Sequence, residues 1–155
     1  MAKSPPSILI IEARFYTDIA DELLRGAKAE LEAQDIAYEQ MELPGALEIP
    51  VALSIAISAG HVGYEGVHQG CIALGCVIRG ETSHYDIVAG ESARALADIG
   101  IAHAIPVGNG ILTVDTREQA WARARIDEKN KGRDAARACS SLMRIQNRLM
   151  AGKKA

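Results

Sequence analysis

Short apolar runs recur along the chain, and each hands over to a stretch with helical spacing. The four runs are SILIIEA (7–13), AYEQMEL (37–43), GCIALGCVI (70–78) and AHAIPVG (102–108). Their lengths predict strands. After the first, Ile19, Leu23, Ala27 and Leu31 lie four apart on one helical face, with Thr17 or Asp18 as N-cap. After the second, EIPVALSIAISAG reads as an apolar helix ending at Gly60. After the third, SHYDIVAGESARALADIG reads as a helix ending at Gly100. The fourth is followed by TREQAWARARI and NKGRDAARACSSLMRIQNRLM, two helical segments separated around residues 127–132.

The first, third and fourth runs are continuously apolar, as suits strands buried on both faces of a parallel sheet. The second mixes polar and apolar residues, as an edge strand does. The order βαβαβαβαα predicts an α/β fold: a three-layer α/β/α sandwich on a four-stranded parallel sheet. The sequence shows no internal repeat, low-complexity tract or linker, so residues 1–155 read as one domain. Ligands of such sheets bind outside the carboxyl ends of the strands. Four segments are therefore expected to meet there: EARFYTD, LPGALEIP, RGETSHYD and VGNGILT.

Charge narrows the function. A net charge of −3 and a pI near 5.8 argue against a nucleic-acid partner, which favours a basic stripe. No run approaches the ~20 apolar residues of a membrane span. The opening MAKSPPSILIIEA does not read as a secretory leader, because Glu12 and Arg14 cut its apolar stretch short. Cys71, Cys76 and Cys139 are an odd set, expected to be reduced thiols in a cytoplasmic protein. Cys71 and Cys76 read as small buried hydrophobes.

The most informative stretch is IALGCVIRGETSHYDIV (72–88), which begins as a buried strand and ends as a helix. Gly80 allows a tight turn or the close approach of a ligand to the backbone. Glu81, Thr82 and Ser83 are expected to start the helix, whose first N–H groups lack intrahelical partners. With the helix dipole, these groups suit an anion. The plainer reading is that Thr82 or Ser83 only caps the helix. His84, in the first turn, is of the residue type best suited to carrying a proton near neutral pH. His61, His68 and His103 show no ligand spacing with His84, so no zinc site is expected.

In PGALEIP, Glu48 sits in the first turn of a helix, where a carboxylate complements the dipole or holds a polyol or amide-like ligand. Phe15 is the only Phe and directly follows the first strand, a position suited to stacking on a planar ring. Tyr16 can serve in the same way or simply pack. Arg123, Arg125, Lys129, Lys131 and Arg133 read as a solvated face unless a neighbouring subunit brings them to Thr82. The first βα turn holds no glycine, and neither GxxxxGK[ST] nor GxSxG occurs, which removes dinucleotide, P-loop and serine-hydrolase readings.

Together, ARF (13–15), PGALEIP (44–50), GCVIRGETSHYDIV (75–88), NGILTVDTREQAWAR (109–123) and NKG (130–132) resemble the 6,7-dimethyl-8-ribityllumazine synthase family over nearly the whole chain. The resemblance implies a flavodoxin-like sandwich and a condensation in riboflavin biosynthesis. A ribitylamino-pyrimidine amine reacts with 3,4-dihydroxy-2-butanone 4-phosphate through a Schiff base, with loss of phosphate and no cofactor or metal. It also implies sites between adjacent subunits of a homopentamer. By position, Phe15 stacks on the pyrimidine, and Ala46, Leu47 and Glu48 hold the ribityl-pyrimidine with Cys76, Val77 and Ile78. Glu81 and Thr82 bind the phosphate and His84 shuttles the proton. Arg123, from the adjacent subunit, pairs with the phosphate, and Lys131 approaches the ribityl chain.

Asn109 stands where many members carry a Phe against the pyrimidine, so polar contact replaces apolar contact there. Tyr16 stands where Asn is common. RARIDEKNKG lacks the glycine that shell-forming members often place before NKG, which favours a free pentamer. The alternative to an enzyme is a non-catalytic flavin- or lumazine-binding oligomer of the same fold.

Overall fold

A computed structural model of the chain describes residues 4–153. Its elements run β1 (Ser7–Ala13), α1 (Thr17–Ala33), β2 (Ala37–Leu43), α2 (Glu48–Ser58), β3 (Gly70–Ile78), α3 (His84–His103), β4 (Val107–Val114), α4 (Arg117–Ala124) and α5 (Lys131–Ala151). The four strands form one sheet in the order β2-β1-β3-β4, and every pairing is parallel. This is the doubly wound, flavodoxin-like α/β order.

Period-two alternation along the inner strands divides the core. Ile8 and Ile10 of β1, Ile72 and Leu74 of β3, and Leu112 and Val114 of β4 pack against α1, α4 and α5. Leu9 and Ile11 of β1, with Cys71 and Ala73 of β3, face the other layer, where Ile49 and Leu53 of α2 and Leu96 of α3 cover them. Each fully buried Ile or Leu contributes about 1.5–3 kcal/mol by leaving water. That is why Ile8–Ile11 of β1 and all of β3 are apolar and β2, at the edge, is mixed.

The fourth strand departs from expectation. It occupies 107–114 rather than 102–108, and α3 continues past Gly100 to His103. Ala104, in the left-handed region at φ 51°, ends the helix instead of a glycine, and its N–H bonds the Gly100 carbonyl. Nor is β4 buried on both faces. It alternates, with Gly108, Gly110, Leu112 and Val114 buried on the α5 side.

The glycines of VGNGILT serve packing. A Cβ on Gly108 would lie 2.0 Å from the Ala135 carbonyl oxygen of α5, and one on Gly110 would lie 2.9 Å from the Ala135 Cβ. Only bare backbone lets α5 approach β4 this closely.

At the first helix, Tyr16 is the N-cap and makes no side-chain capping bond; Thr17 and Asp18 are already helical. At α4, Thr116 and Gln119 form a reciprocal capping box. Among the described residues, no helix is long and apolar enough to cross a membrane.

Replacing Gly108 with Ala should destabilise the fold by about 1–3 kcal/mol, because the added methyl meets rigid backbone. The check is the denaturant midpoint, which should fall.

Candidate functional site

The register of the parallel strands sets which residues emerge together. Ala13 of β1 lies opposite Leu43 of β2, and the Arg14 N–H donates to the Leu43 carbonyl at 3.4 Å. β3 runs further and leaves the sheet beside β4, with Ile78 opposite Val114 and the Arg79 N–H bonded to the Val114 carbonyl at 2.9 Å. Phe15, the 44–48 turn and the 79–84 turn therefore follow the carboxyl ends of β1, β2 and β3. The fourth expected segment does not join them. VGNGILT is the body of β4, and Asn109 pairs opposite Ala73, well inside the sheet.

The turn after β3 has an open backbone. The helix begins at His84, so Glu81, Thr82 and Ser83 precede it rather than start it. Ser83 is the N-cap, but its hydroxyl makes no capping bond. The Thr82 hydroxyl accepts from the His84 N–H at a long 3.3 Å. Among the described residues, the amides of Gly80, Glu81, Thr82 and Ser83 donate to nothing within the chain. Gly80 does not take a left-handed conformation, and a Cβ there would meet nothing within 4 Å. The turn itself therefore does not require this glycine, whereas close approach of a ligand would.

Arg79 fixes this turn, a role the sequence did not reveal beyond showing a cation between strand and glycine. Its Nε donates to Asp115 at 3.0 Å, and a terminal nitrogen lies 3.4 Å from Asp86 of α3. The guanidinium also sits 4.2 Å from the centre of the Tyr85 ring. The Asp115 N–H in turn donates to the Gln119 side chain of the α4 capping box at 2.8 Å. One side chain thus ties the exits of β3 and β4 to the start of α3.

The ring and polyol candidates are mostly accessible. Phe15 is 74% exposed and meets Tyr16 edge to face, with centroids 4.9 Å apart. Tyr16 packs against the core. Leu47 and Glu48 are exposed, whereas Ala46 is buried and can offer a ligand only its backbone. Cys76, Val77 and Ile78 are half-buried. Burial pushes the Cys76 thiol up to about 11, so it is neutral near pH 7 and acts as apolar wall rather than nucleophile.

A second group gathers elsewhere. Asn109, Arg123 and Lys131 line one cleft of about 300 Å³ between β4, α4 and α5, which none of Phe15, Leu47, Thr82 or His84 lines. Arg123 donates to the Gln119 carbonyl at 3.1 Å. A larger apolar groove of about 680 Å³ runs between α3 and α5 beside the same strand, and Asn109 borders it too.

These two groups of residues can be set beside known proteins. The family described as 6,7-dimethyl-8-ribityllumazine synthase matches residues 5–147. The chain belongs to this family. A protein of Xanthobacter autotrophicus with that name is 56% identical over 144 residues, covering 93% of this chain and 87% of the relative. One of Methylorubrum extorquens is 57% identical over 139 residues, 90% of this chain and 80% of the relative. One of Azorhizobium caulinodans is 55% identical over 141 residues, 91% and 86% respectively. All three bear the family name.

Within this lumazine synthase frame, the end of β1 carries a carboxylate that sequence reading passed over. Glu12 is 1% exposed, and one of its oxygens has no hydrogen-bond partner. Burial holds its pKa above the ordinary carboxylate value, opposed by the hydrogen bond from Arg14 at 3.0 Å. Arg14 also pairs with Asp21 and, at 3.1 Å, with Glu42. It thereby anchors the backbone that presents Phe15.

In Arg14→Ala, Glu12 would lose the contacts that lower its pKa, which would rise further. The folded state would then bind the proton more tightly than the unfolded chain, so stability would fall as pH rises through that window. The substitution should cost about 2–3 kcal/mol at pH 8 and distinctly less at pH 5, measured by denaturation at both values.

Proposed function

We propose that this protein is a 6,7-dimethyl-8-ribityllumazine synthase. It condenses 5-amino-6-(D-ribitylamino)uracil with 3,4-dihydroxy-2-butanone 4-phosphate, releasing phosphate and water. The observation that carries this reading is the turn after β3. Four consecutive amides without partners among the described residues stand beside an exposed histidine, in a chain of the lumazine synthase family.

The open amides of Glu81 and Thr82, with the Thr82 hydroxyl, seat the phosphate at the start of α3. Phe15 stacks on the pyrimidine. Leu47, Glu48 and the Ala46 backbone hold the ribityl-pyrimidine against the wall formed by Cys76, Val77 and Ile78. His84 relays protons as the amine adds to the ketone, water leaves to give the imine, and phosphate is eliminated. The enol left by elimination tautomerises to a ketone, and the ribityl-bearing amine adds to that carbonyl carbon and loses a second water to close the ring.

Arg123, Lys131 and Asn109 act on the site of a neighbouring chain. Support comes from their placement in a cleft apart from His84 and Phe15. Further support is the uncovered apolar groove beside the open edge of β4, where Ile101, Leu142, Ile145 and Leu149 are exposed. We read the assembly as a homopentamer, each chain one cytoplasmic catalytic domain. Arg123 then pairs with the phosphate of the adjacent site, Lys131 approaches the ribityl chain, and Asn109 gives a polar contact to the pyrimidine.

The test is lumazine formation from the two substrates against a protein-free control. His84→Ala should slow turnover by about 10²–10⁴-fold with KM little changed. Arg123→Ala should raise KM for the phosphorylated substrate about tenfold or more, as a charged hydrogen bond is lost. A rate equal to the control, from a folded oligomer that binds the pyrimidine, would instead indicate the non-catalytic binding role.

Gly80→Ala separates ligand approach from folding. Its methyl meets only open space, so the unfolding midpoint should hold or rise slightly. Use of the phosphorylated substrate should nonetheless weaken, read as a higher KM.

A further inference from the structure

At the opposite end of the sheet, the amino ends of the strands, three metal-ligating side chains converge from segments far apart in sequence. Glu39 lies on edge strand β2, and His61 and His68 flank the loop between α2 and β3. Both histidines present Nε2 to the same Glu39 oxygen, His68 at 2.8 Å and His61 at 3.3 Å. All three ligand atoms lie within 4.8 Å of one another. We propose that Glu39, His61 and His68 form a divalent transition-metal site, suited to Zn²⁺, with water as the fourth ligand.

The geometry is close to what the ion demands. Zn–N and Zn–O bonds of about 2.0–2.1 Å in a tetrahedron put ligand atoms roughly 3.3 Å apart. The two separations to Glu39 need to change by half an ångström at most, and the two histidine nitrogens, which lie within 4.8 Å of each other, close to the same spacing when the ion binds. A ligating histidine commonly has its other nitrogen fixed by a second group. Here the Ser7 hydroxyl, on the first residue of β1, lies 2.7 Å from His68 Nδ1. With Nε2 on the metal, Nδ1 carries the hydrogen and donates it to Ser7.

The loop is also held ready. His68 is buried, its N–H donates to the His61 carbonyl at 2.9 Å, and its own carbonyl accepts from Gly63 at 2.9 Å. His61 is tied to Ala56 of α2 by a 2.9 Å backbone bond. Glu39 remains half exposed, which leaves a path for the ion and room for the water. Two imidazoles and one carboxylate suit borderline ions such as Zn²⁺ better than Ca²⁺ or Mg²⁺, which favour all-oxygen sets. The metal replaces the protons that otherwise join the imidazoles to Glu39. It clips the loop to edge strand β2 and takes no part in the chemistry at the far end of the sheet.

The expectation of no zinc site considered only spacing with His84. It did not weigh these two histidines against a carboxylate 22 and 29 residues upstream.

The experiment is equilibrium dialysis of the intact, metal-stripped oligomer against Zn²⁺, with bound metal counted per chain. The wild type should hold one Zn²⁺ per chain and unfold at a higher temperature with metal than without. Co²⁺ in its place should show the visible absorption of a four-coordinate site. His61→Ala, at a partly exposed loop position, should fold normally, lose the stoichiometric ion and the thermal shift, and keep lumazine formation. Ser7→Ala should weaken binding about 10–100-fold. Wild-type protein that holds no more Zn²⁺ than His61→Ala, or binding that survives both His61→Ala and Glu39→Gln, would overturn the proposal.

Discussion

A parallel sheet must be covered on both faces, and this constraint organises the molecule. β1 and β3 bury side chains in two directions at once, so neither helical layer is dispensable. Coverage of β4 depends on how near α5 can come. Gly108 and Gly110 set that distance by presenting bare backbone to Ala135. With α5 seated there, its first turn brings Lys131 to the cleft that Arg123 of α4 also lines. A packing requirement on one face of one strand therefore positions cations proposed to serve substrate.

Parallel pairing also sends the chain out of the sheet at one end each time, gathering three of the four exits proposed to carry chemistry. Ion pairs at these exits fix the backbone on which the proposed site residues stand. Arg14 holds Glu12, Asp21 and Glu42 under Phe15, and Arg79 joins Asp86 and Asp115 around the β3 turn. Most of these pairs are solvent-exposed, so each contributes at most about 1 kcal/mol to stability. Their effect is local: the Arg14 pairs tie the β1 exit to β2 and α1, and the Arg79 pairs tie the β3 exit to α3 and to the end of β4. The exception is the buried Glu12, whose cost of ionisation makes it sensitive to the loss of Arg14, the cation hydrogen-bonded to it.

Much of this was legible from residue order. Continuous apolar runs marked β1 and β3 because burial on both faces leaves few polar positions, Glu12 being the one charged residue in either strand, and the mixed run marked β2 as an edge. The 79–84 stretch carried the chemistry proposed for it in plain view, since glycine, hydroxyls and histidine stood adjacent in the chain. β4 was misplaced because a glycine-rich strand looks like a turn when the helix pressing against it is unknown. That displacement moved Asn109 from a strand end to mid-sheet. Glu12, Arg79 and the Glu39–His61–His68 cluster were passed over for a common reason: each draws its meaning from neighbours distant in sequence.

The sequence by itself determined the family, the alternation of strands and helices, and the local turn that presents His84. These are encoded in residues adjacent or periodically spaced, where propensity, hydrophobic period and hydrogen-bonding capacity act over a few positions. Only the tertiary structure decided where β4 begins, that Gly80 is unneeded by its own turn, and that Asn109, Arg123 and Lys131 stand apart from His84. It alone joined two loop histidines to a carboxylate on an edge strand. Such relations depend on distance through space, which is fixed once the sheet register and helix approach are set and is not written in spacing along the chain.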